Sequence, residues 1–294
     1  MPMPVTVAIP FLNAAPYLAD AIRSVFAQTH VEWELLLIDD GSTDGSLRIA
    51  TQVRDERVRV LSDGINRGLA ARLNQVTQVA QFGLLARMDA DDLMDPQRLA
   101  HQVSVLEADP TVDLVSTGLY SIHDDGKLVG RRGSAQEFIT FEDLVTRRKG
   151  IVHASVVARR AWHERNPYNE LLRYVEDVEL WLRASSRGDL SVRSLADPLY
   201  LYREQRNLSG PRLARAYALE RAALLPHLTD RRARYRFVAG SYGRQVAVRV
   251  LETVDMMDRL ETRRNPAPLT PVDHERCASI IAAVRSTRVP GLDD

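Results

Sequence analysis

Cysteine is almost missing from this 294-residue chain: Cys277 stands alone, which excludes an intramolecular disulfide and fits a reducing compartment. Long apolar runs are missing as well, and none approaches the roughly 18 residues that a membrane span requires. The amino terminus MPMPVTVAIP has no basic segment leading into an apolar stretch of signal-peptide length. Net charge is absent, because 39 Lys and Arg balance 39 Asp and Glu, so no global field draws nucleic acid or an anionic membrane. No internal repeat or low-complexity segment stands out. These absences lead us to expect a soluble, cytoplasmic protein with no nucleic-acid partner and no transmembrane segment. At 45% hydrophobic content, the length suffices for one large α/β domain, alone or with an appendage.

What the chain does have is a concentration of carboxylates at the ends of apolar runs. In ARMDADDLMDP, Asp89, Asp91 and Asp92 follow the run from Phe82 to Met88. Carboxylates gathered at the mouth of a buried strand repel one another and lose hydration, so a divalent cation is the simplest compensation. Leu35 to Ile38 likewise delivers Asp39 and Asp40 into the turn GSTDGS. Strands that carry polar residues at their carboxyl ends build the ligand clefts of open α/β sheets, and two such ends imply one cleft.

Hydrophobic periodicity supplies the frame. Over the first hundred residues, short apolar runs alternate with amphipathic helical stretches, the pattern of a mainly parallel sheet with crossover helices. Strands are expected at Val5 to Ile9 (stopped by Pro10), Leu35 to Asp39, Val58 to Leu61 and the run ending at Asp89. Helices are expected around Leu18 to Phe26, Thr43 to Arg54 and Leu69 to Val79, and after an Asp95 cap with Pro96 at the first helical position. Further on, Leu114 to Ile122 and Ile151 to Ala158 read as strands, and Leu199 to Arg203 as a short extended run. Thr140 with Asp143 forms a capping box, and Val178, Trp181 and Leu182 mark a helix face. From Pro211 the pattern is helical, with a linker at Asn265 to Pro271 before a last helix near Glu275 to Val284.

VTVAIPFLN, LLLIDDGSTDGS, NRGLAARLNQ, ARMDADD and YVEDVELW, in that order, resemble glycosyltransferase family 2 over roughly the first 210 residues. The resemblance implies a Rossmann-like GT-A fold: a mainly parallel sheet flanked by helices in residues 1–210, with a nucleotide-binding half at 1–105 and an acceptor half at 106–210. A C-terminal helical extension would occupy 211–294. It also implies transfer of a sugar from a nucleotide diphosphate to a saccharide or lipid-linked acceptor hydroxyl, with inversion, in polysaccharide or glycolipid synthesis. A UDP-sugar is the expected donor, with a dTDP-sugar second. Mn²⁺ or Mg²⁺ would sit across the diphosphate as a Lewis acid.

Matched position by position, the resemblance places Asp91 on the metal, Asp89 on the ribose and Asp40 on the base, with Asp92 in support. Pro10, Phe11 and Asn13 line the base and ribose pocket, which Asn66, Gly68 and Asn74 close. Asp177 is the base that deprotonates the acceptor, oriented by Glu176. His153 lies beside the acceptor site, and Trp181, one turn beyond Asp177, either stacks on a sugar or packs the core. Where the family often has Tyr-Arg-x-His, this chain has Tyr202, Arg203, Glu204 and Gln205, so Arg203 or Arg206 becomes the diphosphate contact.

Two further readings concern the tail and the alternatives. Between Pro211 and Leu260 ten arginines face five acids. That surplus fits a homodimer or a covered sheet edge, favoured by Tyr217, Leu224, Val246 and Val250, or else peripheral docking of 211–260 on an anionic membrane or partner. A sugar nucleotidyltransferase would need a Gly-rich loop near the first strand, and a dinucleotide oxidoreductase would need GxGxxG where PFLNAAP stands. A non-catalytic nucleotide-sugar-binding protein would have no need of Asp89, Asp91 and Asp177.

Overall fold

The computed structural model describes residues 2–204, 210–228, 230–253 and 268–294. Nine strands form one sheet in the order β3-β2-β1-β4-β8-β6-β9-β5, with β7 paired to β6. In the first half, β1 (Val5–Phe11), β2 (Trp33–Asp39), β3 (Val58–Ser62) and β4 (Leu84–Arg87) are mutually parallel, as expected. Every residue of β1 and β2 is buried, as befits central strands covered on both faces. Val7, Ile9, Leu35 and Leu37 meet α1 (Leu18–Phe26), whereas Ala8, Leu36, Ile38 and Leu85 face the other way, onto Val76 and Ala80 of α3 (Leu69–Val79) and its C-cap. Truncating a fully buried Ile9 or Leu37 to Ala costs about 2–5 kcal/mol.

Pro10 does not stop β1. The strand runs on through Pro10 and Phe11, which pair with Ile38 and Asp39. Ala8 O accepts Met88 N–H on the β4 side, and Phe11 O accepts Asp40 N–H on the β2 side. Alternation therefore turns Pro10 toward β4, which has already ended, and its missing N–H costs no ladder bond.

The second half departs from parallel pairing. β8 (Val157–Arg159) is antiparallel to both β4 and β6 (Leu114–Ile122), and β7 (Leu128–Arg132) returns from β6 as a hairpin. β9 (Val192–Arg203) runs parallel to β6 and antiparallel to the two-residue β5 (Leu93–Met94). The expected strand at Ile151 to Ala158 is a single 3₁₀ turn, His153–Ser155, followed by β8. The expected Asp95 cap also shifts: Asp95 Oδ1 accepts Gln97 N–H in a turn, and α4 begins afterwards at Arg98–Ala108. The Thr140–Asp143 capping box opens α5 (Phe141–Thr146) as read.

The remaining helices are α2 (Ser46–Gln52), α6 (Arg160–Arg165), α7 (Glu176–Ser186), α8 (Gly210–Leu224), α9 (Arg231–Thr253) and α10 (Pro271–Ser286). α8 packs on α7, and α9 on α8 and α5. α10 leaves that group and returns to the sheet. Cys277, Ile280 and Val284 bury against Leu93, Tyr120, Ile122 and Leu201, and burial lifts the Cys277 thiol to about 11. Beyond α10, Pro290 O accepts Arg54 N–H, and Asp293 pairs with Arg23 of α1. Among the described residues no helix is long and apolar enough to cross a membrane.

Candidate active site

The carboxyl ends of β1 and β2 open into a cavity of about 280 Å³. Six of the expected residues line it together: Pro10, Phe11, Asp40, Asn66, Gly68 and Glu176. Asp40 is buried at 6% exposure, and its Oδ1 accepts the N–H groups of Arg67 and Gly68 and Nε of Arg72, at 2.8, 3.2 and 2.9 Å. Its Oδ2 takes only Gly68 N–H, at 3.0 Å, which leaves lone-pair capacity facing the cavity. Two glycines make this geometry. Gly41 (φ +80°) lets the 64–66 backbone pass where a Cβ would stand 3.0 Å from Asn66 N, and Gly68 (φ +88°) turns its N–H onto Asp40.

Turn duties that could have claimed Asp40 fall to its neighbours. Asp39 accepts Ser42 N–H and the Ser62 hydroxyl, and Asp44 accepts Ser46 N–H. Asn13 lies outside the cavity lining: at φ +52° its Oδ1 accepts Thr43 N–H, pinning that turn. Asn74 ties α3 to the far wall, because its amide exchanges hydrogen bonds with the Tyr168 backbone in both directions.

The acidic loop after β4 forms a second centre. Asp89 receives Arg87 Nη2, and its own N–H donates to Tyr200 Oη at 3.1 Å. Asp92 is 1% exposed. Its Oδ1 accepts Arg203 N–H at 2.7 Å, and burial together with Asp91 and Asp89 pushes its carboxyl well up. Burial and the Asp89 charge raise Asp91 as well, against the lowering effect of its own backbone N–H.

These acids suit a hard divalent cation that completes its shell elsewhere. Among the described residues no three His, Cys, Asp or Glu side chains gather into a full protein cage. Mg²⁺ and its kin are commonly held by one or two carboxylates together with substrate phosphates and water, and Asp91, an oxygen-only ligand, meets that requirement.

Glu176 and Asp177 open α7, at the positive end of its dipole. Burial nonetheless raises both carboxyls, and Glu176 Oε2 has no hydrogen-bond partner. Asp177 lies outside the cavity lining that Glu176 joins. The link between the two centres is Arg87, a residue without a role in the sequence reading although it sits inside ARMDADD. Its side chain is 11% exposed, and its charge acts on Asp89, Asp91, Glu176 and Asp177 alike. Arg98, fully buried, supports it by donating to Arg87 O at 2.8 Å.

Arg72 and Asp63 also escaped the sequence reading. Arg72, 1% exposed, divides its guanidinium between Asp40 and Asp63, and the two arginines Arg72 and Arg67 hold Asp63 far below the usual carboxylate range. The visible signal was a charge on the buried stripe of α3, three residues from Leu69 and four from Val76.

The other expected residues are placed as follows. His153 shares a 2.8 Å hydrogen bond with Tyr168 Oη, and burial plus Arg87 depress its pKa well below the ordinary value, so it is neutral at pH 7. Trp181, 3% exposed, stacks on Trp162 at 5.7 Å and so packs the core. Arg203 donates Nε to Asp91 O and Nη1 to the carbonyls of His123 and Asp124, and covers the Tyr17 ring. It clamps the acidic loop. Arg206 lies outside the described residues.

Comparison with known proteins gives one consistent answer. The sequence model of "Glycosyl transferase family 2" matches residues 6–172. EpsE of Bacillus subtilis, provisionally named a glycosyltransferase, is 31% identical over 75% of this chain and 80% of its own length. WfgD of Escherichia coli, named a UDP-Glc:α-D-GlcNAc-diphosphoundecaprenol β-1,3-glucosyltransferase, is 28% identical over 64% of this chain and 72% of its own. The chain spans only 19% of the length of the Pasteurella multocida chondroitin synthase, at 27% identity. Among solved structures, S. aureus TarS 1–349 with UDP superposes at TM-score 0.60 and 18% identity over 83% of this chain and 72% of that one. The mannosyltransferase PcManGT of Pyrobaculum calidifontis with GDP-Man and Mn²⁺ gives 0.59 and 19% over 98% and 87%.

Proposed function

Since this chain belongs to glycosyltransferase family 2 and is a glycosyl-transfer enzyme of GT-A fold, we propose that it moves a sugar from a UDP-sugar to an acceptor hydroxyl with inversion. The observation that carries this reading is the convergence of Asp40, Asn66, Gly68 and Glu176 on one cavity at the ends of β1 and β2. Asp40 Oδ2 accepts the imide N–H of the base, with Arg67, Gly68 and Arg72 fixing its carboxylate beforehand. Asp89 faces the ribose, oriented by Arg87 and by the Tyr200 phenol.

A Mn²⁺ or Mg²⁺ ion held by Asp91 would draw charge from the departing diphosphate as a Lewis acid. The chain's own residues do the rest. Asp177 accepts the acceptor's hydroxyl proton while that oxygen bonds to the anomeric carbon, and the bond from that carbon to the β-phosphate oxygen breaks, releasing UDP. The elevated Asp177 pKa, caused by burial, makes it a stronger base than an ordinary carboxylate. Arg87 keeps it and its acidic neighbours ionised together. Arg203 holds the metal-binding loop in place through Asp91 O and Asp92.

The acceptor we propose is a saccharide in polysaccharide or glycolipid assembly, the class to which the name of WfgD points. The experiment is transfer from UDP-sugars to such acceptors with Mn²⁺, Mg²⁺ or chelator. The expected outcome is metal-dependent turnover that ceases in Asp91→Ala, whose fold is retained. Full turnover in chelator would contradict the role given to Asp91.

A further inference from the structure

A second cavity, of about 500 Å³, opens on the acceptor half between β6, β7, β9 and the 147–152 segment. Four arginines line it, Arg131, Arg132, Arg147 and Arg148, and no carboxylate does. The acids that pair with them, Asp273, Glu204, Glu220 and Glu142, all lie outside the lining. The Arg148 pair is loose, at 3.9 Å between side chains 64% and 69% exposed. Among the described residues, the hydroxyl of Ser194, 8% exposed, has no hydrogen-bond partner, and neither has Arg132 Nε.

Each guanidinium has an acid behind the wall, and an anion entering the void would meet Arg148, whose pair is loose, and the Arg132 Nε. Planar guanidinium groups meet carboxylate or phosphate oxygens in paired hydrogen bonds, and a phosphate, with three acceptor oxygens and the larger charge, can engage several of them at once. The void is larger than a phosphate and leaves room for a sugar attached to it. Its wall includes Val152, the residue before His153, and Arg147 lies close enough to Asp177 for their charges to interact. It thus adjoins the acceptor side of the reaction centre, apart from the cavity that holds Asp40.

We propose that this arginine cavity binds a phosphate group of the acceptor, so that the enzyme glycosylates a phosphate-bearing glycan rather than a neutral one. The proposal rests on the reading of Asp177 as the base. The phosphate can belong to a lipid-carried glycan or to a soluble phosphorylated one.

Gly150 offers a clean probe, since a Cβ there meets no atom within 4 Å and its backbone is not left-handed. Phenyl phosphate is titrated calorimetrically into the full chain saturated with UDP and Mg²⁺, in wild type, Gly150→Asp and Arg148→Gln. Binding is expected in wild type, with affinity about tenfold or more weaker in Gly150→Asp and less reduced in Arg148→Gln, because a like charge placed beside a bound anion is strongly unfavourable. UDP titrates equally into all three. Vesicles of phosphatidylcholine with and without polyprenyl phosphate separate the sources. Retention that needs the polyprenyl phosphate and is lost in Gly150→Asp assigns a lipid-carried acceptor, and phenyl phosphate binding without retention assigns a soluble one. No phenyl phosphate binding in wild type, or equal binding in Gly150→Asp, overturns the proposal. Failure of UDP to bind, with phenyl phosphate behaving as expected, overturns the donor reading and leaves the arginine cavity standing.

Discussion

The cavity at the ends of β1 and β2 and the arginine cavity beyond β6 settle their charges in opposite ways. In the first, Arg72 and Asp40 are both buried and satisfy each other, with Asp63 taking the far side of the guanidinium. The site is finished before any ligand arrives. In the second, the charged residues of the lining are all arginines, and the compensating acids stand outside it. The parallel half settles its charges inside the cavity, and the mixed half settles them behind its wall. Arg87, at the end of β4, answers four carboxylates at once.

The comparison breaks first at the base. Asp177→Asn is expected to lower the transfer rate by about 10²–10⁴ while UDP affinity stays at the wild-type value, as checked by single-turnover kinetics and calorimetry. Transfer at the wild-type rate would remove Asp177 from the mechanism. The wild-type rate should also fall on acidification, with an apparent pKa above the usual carboxylate range, because burial raises Asp177 and only its ionised form accepts a proton.

Arg87→Gln comes next, and it strikes both halves. Removing one partner of a largely buried charge pair costs about 3 kcal/mol, measurable by urea unfolding. The same change should move the acidic limb of the rate profile to higher pH, since a lost cation raises every carboxylate it served. A limb that stays in place would disconnect Arg87 from Asp177.

Glycines sharpen the contrast at smaller cost. Gly68→Ala forces a side chain into φ +88° and is expected to destabilise by about 1–3 kcal/mol, weakening UDP binding through the displaced N–H. Gly150→Ala, free of both strain and contact, should stay within about 0.5 kcal/mol of wild type. Comparable losses at both positions in a thermal melt would erase the distinction between a finished and an open cavity.

Asp92→Asn acts in the opposite direction. Its folded carboxyl is raised, so the folded state binds a proton the unfolded state has lost. The penalty appears as pH rises through the unfolded value near about 4 and is complete above the folded value. The variant should therefore melt higher than wild type at neutral pH in chelator, and the gain should close in acid.

Much of the donor side was legible because each of its parts is local. A run such as LLLID followed by DGST carries its own strand, turn and terminal acid, and the stretch Leu114 to Ile122 matches β6 to the residue. Thr140 and Asp143 announced their helix through two reciprocal hydrogen bonds three residues apart. Strands too short for a period stayed hidden: β5 has two residues and exists only because Leu93 and Met94 pair with Leu201 and Tyr200. Arg87 looked like one more basic residue in an acidic motif. Its role depends on α7, ninety residues on in the chain, bringing carboxylates to it. The arginine cavity was invisible for the same reason, since β6, β7, β9 and the 147–152 segment meet only in the folded chain.

The most direct test of the central claim, a base-reading carboxylate and a metal-binding one serving a single nucleotide, is calorimetric titration of UDP, dTDP and GDP with Mn²⁺ or with chelator, in wild type and Asp91→Ala. The account predicts that UDP with Mn²⁺ binds tightest and that chelator and Asp91→Ala weaken it to the same extent. Tighter binding of GDP, or UDP affinity indifferent to both metal and Asp91, would contradict it.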